Sequence, residues 1–442
     1  MKLQDSLTIM YLPFEIAEGV EQQTLFDNSP NWVKCTKVSI DGDYLYPYVS
    51  QFMCGANLAA DHVQIYELKQ GACCSFNNNN TYTFSLKKQK QEYNYRFKFC
   101  AGKKLNAPHV IIYPHCPVGI LVMGVELQGD DLTLDDLKMF NYALHKIDHQ
   151  QPYLQVEKKD VAAKLYGSLD GEGIRLSDLC KLLLSDTIVP QISFLEKIRM
   201  HLFSYVQVTE VGDMDDFRDA LLQIASIQTE AYQTARGTSQ PVELFRNIHV
   251  CSRSEGCVMA TILDPECDTP FIRNYKSGKF VMEYLWIYTF VIMQYYALIR
   301  QTNQLYRPLG YRDVSETIGQ LWQIKKHIFI CVSRFTNINR FYRTVVENIG
   351  LQALLDMLNE NYNNIQDSFQ VQISTRTNWI LAFLTFSQVI FAIFSFFSVN
   401  VEYNQPLVRM IGIMWSAGCF FIFVWFIWKT YFTDRRSGNR HK

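Results

Sequence analysis

The sequence lacks an excess of charge of either sign: Lys and Arg number 42 against 43 Asp and Glu, a net charge of −1. That balance offers nucleic acid no broad basic surface, so no direct nucleic-acid binding is expected. A secretory signal is also missing, because Asp5, Glu15 and Glu18 interrupt the apolar run such a signal needs. The twelve cysteines show no paired C-x-x-C spacing. Cys73 and Cys74 are adjacent, and most others sit singly in apolar runs such as Phe99-Cys100 and Ile330-Cys331. Scattered cysteines of this kind read as buried free thiols of a reducing compartment. There is no P-loop, no G-x-S-x-G, no H-E-x-x-H and no G-x-G-x-x-G, and no nucleophile stands beside an evident base. An enzyme is therefore not expected. No solenoid period is present either.

What the chain does have is two long uncharged runs near its end, residues 379–399 and 410–428, rich in Phe, Ile, Leu and Val. A helix needs about 20 apolar residues to cross the hydrocarbon layer, and only a helix or a closed barrel satisfies its backbone there. The pair predicts a transmembrane hairpin. Lys429, Arg435, Arg436, Arg440 and Lys442 follow the second run, whereas the link between the runs holds only Glu402 and Arg409. Basic flanks stay on the cytoplasmic side, so both termini are expected inside a bacterial inner membrane. Charged residues at 19 % and hydrophobic ones at 48 % suit a globular part with a membrane appendix.

Residues 1–150 read as an N-terminal α/β part. Strands are expected near 7–14, 33–40, 62–68, 81–86, 93–99, 109–113 and 118–126, separated by turn residues such as Asp41-Gly42-Asp43 and the asparagines 77–80. An amphipathic helix over 132–147 follows, with Thr133 and Asp136 as a capping box. Residues 151–270 form a second α/β part, with helices near 177–184 and 216–232 and strands near 201–208 and 256–263. Residues 271–377 are helical. Within them 280–299 is largely apolar but broken by Glu283 and Gln294, and its tyrosines suit a buried helix with wet edges. From Asp313 to Thr377 apolar residues recur every three or four, a coiled-coil-like seam. As one helix it would run roughly 95 Å, with Gly350 as the place where it would kink into two. The hairpin then occupies 378–430 and a basic cytoplasmic tail 431–442.

This order, an α+β cytoplasmic domain, a long helical stalk, a two-helix transmembrane hairpin and a short basic tail, resembles the CorA family of divalent-cation channels. The resemblance is carried by the architecture from Asp313 to Lys442. CorA proteins close the first span with Gly-Met-Asn, where this chain reads Ser398-Val399-Asn400, so only Asn400 matches. The longer soluble part is similar to the CorA-like proteins associated with type III CRISPR systems. That resemblance implies a homopentameric membrane channel gated by a nucleotide second messenger, a conjugate of S-adenosylmethionine and AMP (SAM-AMP), acting in antiviral defence by ion flux. A constitutive magnesium, cobalt or zinc transporter and a non-conducting membrane-anchored sensor are the rival readings.

Pore-lining residues are expected on the first span, where Thr385, Gln388, Ala392 and Ser395 share a helical face and Ser398 and Asn400 close its outer end. Helix packing uses the same residue types. A nucleotide needs cations for its phosphate and aromatic rings for its base. Arg300, Tyr306, Arg307, Tyr311 and Arg312 alternate those chemistries, and Lys325 and Lys326 follow. A further basic group, Lys87, Lys88, Lys90, Arg96 and Lys98, lies beside Tyr93 and Tyr95; a solvated face accounts for any of these groups. No cofactor is required by any motif. A divalent cation is the one candidate, for which the Asp130–Asp136 and Asp213–Asp219 clusters and the His145/His149 pair with Asp148 are the places to look. Both acidic clusters precede helices, where capping explains them equally well.

Overall fold

The structure, a computed structural model, describes residues 1–400 apart from 18, 23, 36–43, 55–62, 70–80, 89–90, 101–107, 114–115, 146–152, 157–173, 185–187, 195–199, 229–239, 265–268 and 306–309; beyond Asn400 it describes 410, 414, 415, 417, 418, 421, 422 and 425. Strands occur in the order β1 Lys2–Ile16, β2 Trp32–Lys34, β3 Gln64–Leu68, β4 Tyr82–Lys88, β5 Gln91–Phe99, β6 His109–Ile112, β7 Val118–Gln128, β8 Tyr153–Val156, β9 Ile174–Arg175, β10 Ile192–Phe194, β11 His201–Thr209, β12 Val242–Phe245, β13 Ile248–Ser252 and β14 Gly256–Ile262. The helices are α1 Pro47–Cys54, α2 Leu134–His145, α3 Leu176–Leu184, α4 Met214–Ala225, α5 Pro270–Arg273, a π-helical turn Lys276–Tyr284, α6 Leu285–Leu305, α7 Tyr311–Lys326, α8 Thr336–Ile349 and α9 Leu351–Asn400.

One mixed sheet runs β12-β13-β14-β11-β1-β7-β5-β4-β8-β9, with β11 and β14 its parallel pair. The long strand β7 serves two partners along one edge: β6 pairs with residues 119–122 and β5 with residues 125–128. Through β6 a small antiparallel flap, β2-β3-β6, joins the sheet. The central strands are buried on both faces, so β1 and β11 read as nearly unbroken apolar runs instead of alternating ones. Met10, Leu12, Phe14, Val206 and Val208 join the core that includes α2, α3 and α4. On the opposite face Tyr11 and Phe203 meet Tyr288 of α6 at ring-centroid distances of 5.5 and 4.5 Å. Residues 280–299 thus form the end of the π-helical turn and most of α6, buried against the sheet.

Local chemistry places the helix ends. Thr133 and Asp136 make the reciprocal bonds of a capping box, the Thr133 N–H donating to Asp136 Oδ2 at 2.9 Å and the Asp136 N–H to Thr133 Oγ1 at 3.3 Å. Asp213 caps α4 by accepting from the Asp215 N–H at 2.9 Å. Gly350 ends α8 in the left-handed region at φ 73°, where a side chain would be strained.

One buried histidine ties α6 to β11. His201 Nε2 lies 2.5 Å from the Ser254 carbonyl, which only accepts, so Nε2 carries the proton and Nδ1 accepts from the Tyr296 hydroxyl at 2.7 Å. Burial pushes the ring's pKa down to about 4, the Ser254 bond opposing and His145 adding a little. The unfolded chain, with a value near 6.5, binds this proton more readily than the folded one. Its contribution is complete above pH 6.5 and is lost as pH falls toward 4, by about 3 kcal/mol at most. Urea denaturation at pH 7 and pH 4.5 should show that loss, and His201→Gln should flatten it; an unchanged slope in the variant would assign the acid sensitivity to other groups.

The membrane expectations are corrected. Among the described residues no helix is long and apolar enough to cross a membrane. Arg376 and Asn378 precede the apolar part of α9. The second run, 410–428, lies mostly outside the described residues. The two-helix transmembrane hairpin, and with it the inner-membrane localisation, is therefore not found. The single stalk is corrected too. Residues 327–335 break it between α7 and α8, because the Asn339 side chain accepts from the Val332 and Ser333 N–H groups at 2.9 and 3.0 Å. Ser333 Oγ in turn donates to the Tyr44 carbonyl at 2.5 Å.

The chain divides into two compact units, residues 1–304 with 320–358, and residues 305–319 with 359–442. In the second, Val314 and Tyr362 are buried and Tyr311 meets Phe369 edge-on at 6.0 Å. Beyond them Val371, Trp379, Leu381, Phe386 and Val389 are exposed.

Candidate anion site

Arg300 lies in the last turns of α6 and is only 7 % exposed. A guanidinium stays charged at any pH a protein survives, so it cannot escape burial by losing a proton. Buried charges are ordinarily paired with an opposite one. Here no carboxylate forms an ion pair with Arg300 among the described residues, and its Nε has no hydrogen-bond partner. Its contacts are neutral. With the Gln304 amide turned so that its oxygen faces the guanidinium, Nη1 and Nη2 donate to it at 3.1 and 3.2 Å, while the amide nitrogen donates to Gln301 Oε1 at 2.6 Å. Gln301 Nε2 donates to Gln320 Oε1 at 2.5 Å and reaches the Cys116 sulfur at 3.9 Å. Burial pushes the Cys116 thiol up to about 11, while Arg300 and Gln301 pull the other way. Glu15 acts on the same thiol through space.

Chemically this is a fixed cation held by the Gln304 amide, which is linked in turn to the Gln301 and Gln320 amides. An amide can present either its oxygen or its N–H groups, so Gln304 can turn donors toward an anion that the guanidinium attracts.

The other expected ligand residues do not all join it. Tyr306 and Arg307 lie outside the described residues, as does the Arg312 side chain. Tyr311 begins α7 and belongs to the second unit. Lys325 and Lys326 are exposed at the end of α7, Lys325 Nζ standing 5.8 Å from the Trp322 ring centre. Lys90 and the side chains of Lys87 and Lys88 are outside the described residues. Thr385, Gln388, Ala392 and Ser395 are exposed on α9, and Thr385 Oγ1 donates to the Leu381 carbonyl at 2.9 Å. The side chains of Ser398 and Asn400 are not among those described.

Of the places considered for a divalent cation, each acidic cluster gives one carboxylate to a helix cap, Asp136 and Asp213, while Asp131, Asp135 and Asp215 pair with Lys2, Lys138 and Arg218, and His145 Nδ1 bonds the Met200 carbonyl at 2.6 Å. Asp148 and His149 lie outside the described residues. Sequence reading missed a different group, Cys35, Glu67 and His109, whose ligand atoms all lie within 4.8 Å of one another. No spacing signal could have shown it, since each residue comes from a different strand or strand end. No family model, no curated protein and no solved structure matches the chain.

Proposed function

We propose that the chain is a ligand-responsive sensor that binds a small phosphate-bearing anion, the class to which the expected nucleotide messenger belongs, at Arg300. The observation that carries this reading is the burial of a permanent cation with no carboxylate paired to it among the described residues. Holding such a charge in the interior costs several kcal/mol, and a bound oxyanion offsets that cost. Neighbouring Gln301, Gln304 and Gln320 supply the neutral donors that fix the anion's orientation. The partner expected is a further copy of the chain. The exposed apolar residues Trp379, Leu381, Phe386 and Val389 of α9 support it, because a helix apolar around its circumference is ordinarily buried. A monomer by light scattering would remove that part.

The anion itself is tested by melting the full chain in increasing inorganic pyrophosphate, with chloride of equal ionic strength as control. Binding to the folded form stabilises by about 2.7 kcal/mol when ligand reaches 100 times its Kd. A midpoint that rises with pyrophosphate but not with chloride supports the site. Equal responses to both would reduce it to general screening.

A further inference from the structure

We propose that Cys35, Glu67 and His109 form a binding site for a divalent cation of the zinc class. It lies in the β2-β3-β6 flap of the first unit and stands independently of the Arg300 reading.

Strand register brings the three together. Glu67 and His109 are directly opposed in the antiparallel β3–β6 pair, which sets their side chains on one face of the flap. Val33 opposes Glu67 across β2–β3, and the Cys35 N–H donates to the Ile65 carbonyl at 2.8 Å. Cys35 therefore continues the ladder two residues beyond Val33, on the face that Glu67 and His109 share. Trp32 points the other way, into the core, where it meets Phe26.

The distances fit a small tetrahedral ion. Zinc bonds of about 2.0–2.3 Å imply ligand–ligand edges of about 3.3–3.8 Å. Cys35 Sγ already stands 3.8 Å from Glu67 Oε2, and no pair within the group exceeds 4.8 Å, so closure asks for side-chain movements of about 1 Å. A thiolate, an imidazole and a carboxylate together select zinc or cobalt over magnesium or calcium, which prefer oxygen alone. With three protein ligands the fourth position is left for water or a ligand atom. Trp286 packs edge-on against His109 at 5.6 Å and limits the ring's rotation.

A second observation points to a cation. Glu67 is half-buried, and no Lys or Arg pairs with it among the described residues. Its contact in this group is the Cys35 thiol, which donates to it. Binding replaces the shared proton with the metal: the sulfur–hydrogen bond breaks, a sulfur–metal bond forms and the proton leaves to solvent.

The test uses the full chain, freed of metal by chelator and dialysed, then titrated with Co²⁺. One equivalent should give the near-ultraviolet thiolate-to-cobalt charge-transfer band with the intense visible bands of tetrahedral cobalt, and Zn²⁺ should abolish both. Cys35→Ser should remove the charge-transfer band and weaken cobalt binding at least about 100-fold, and His109→Gln should weaken it comparably. Circular dichroism of both variants separates loss of the site from loss of the fold. A charge-transfer band that survives Cys35→Ser would assign the metal to other cysteines and overturn the proposal. So would the absence of any band in the unaltered chain, or displacement of cobalt by Mg²⁺ as readily as by Zn²⁺.

Discussion

Replacing Arg300 with Met is expected to raise stability in anion-free buffer by about 1–3 kcal/mol, the range found when buried ionic groups give way to apolar ones of similar volume. The reasoning runs through partners. Among the described residues Arg300 has the Gln304 amide oxygen and the Cys116 thiol to set against the cost of burying its charge. A hydrogen bond to a charged group contributes about 1.5–3 kcal/mol net, but Arg300 shares both its described Nη donors with one amide oxygen, against a desolvation cost of several. Methionine fills much the same volume and carries no charge. The variant should therefore melt higher than the unaltered chain without pyrophosphate and gain nothing when pyrophosphate is added. An arginine whose role is structural behaves in the opposite way, since its removal strips contacts the fold relies on. Chemical denaturation of both proteins in phosphate-free buffer separates the two cases by sign.

Lys276→Met is expected to do the reverse and cost about 2–4 kcal/mol. Lys276 begins the π-helical turn, and its ammonium lies 2.8 Å from Asp5 and 3.0 Å from Glu126. It also reaches the Ser6 carbonyl at 3.4 Å. Burial works against this lysine's charge, yet Asp5 and Glu126 together hold its pKa above the ordinary value. Asp5 stands at a register shift in β1. Deleting the ammonium removes the cation that Asp5 and Glu126 share, the costly way to break a partly buried ionic group. Asp5 is 40 % exposed, which tempers its share through solvent screening. The double variant Lys276→Met with Glu126→Gln should recover part of the loss. If the single variant is as stable as the parent, the ion triad contributes nothing.

Much of the first unit was legible because its strands advertise themselves. The β-branched and aromatic runs around Leu7, Tyr95, Val110 and Ile120 all became strands, and the Thr133/Asp136 pair became the cap it spelled. The hairpin of β12 and β13 was not anticipated, since Val242–Phe245 is short and half exposed. The stalk misled for a physical reason. Apolar spacing of three and four continues from Val314 to Phe335 without Gly or Pro after Gly319, so nothing local announces the break. Tertiary contacts make it: Asn339 holds the backbone of Val332 and Ser333, and the His327 ring stacks on Phe52 at 3.7 Å. At the candidate site the sequence singled out Arg300 among alternating Arg and Tyr residues. It could not show that the residue is buried or that the Gln304 amide contacts it and links to Gln301 and Gln320, because three amides carry no recognisable spacing.

The most direct test is calorimetric titration of inorganic pyrophosphate into the full chain and into Arg300→Met at low ionic strength. Saturable binding by the unaltered protein, weakened by salt and absent from the variant, is the predicted result. Equal binding by both proteins, or none by the unaltered chain, would contradict the assignment of Arg300 as an anion receptor.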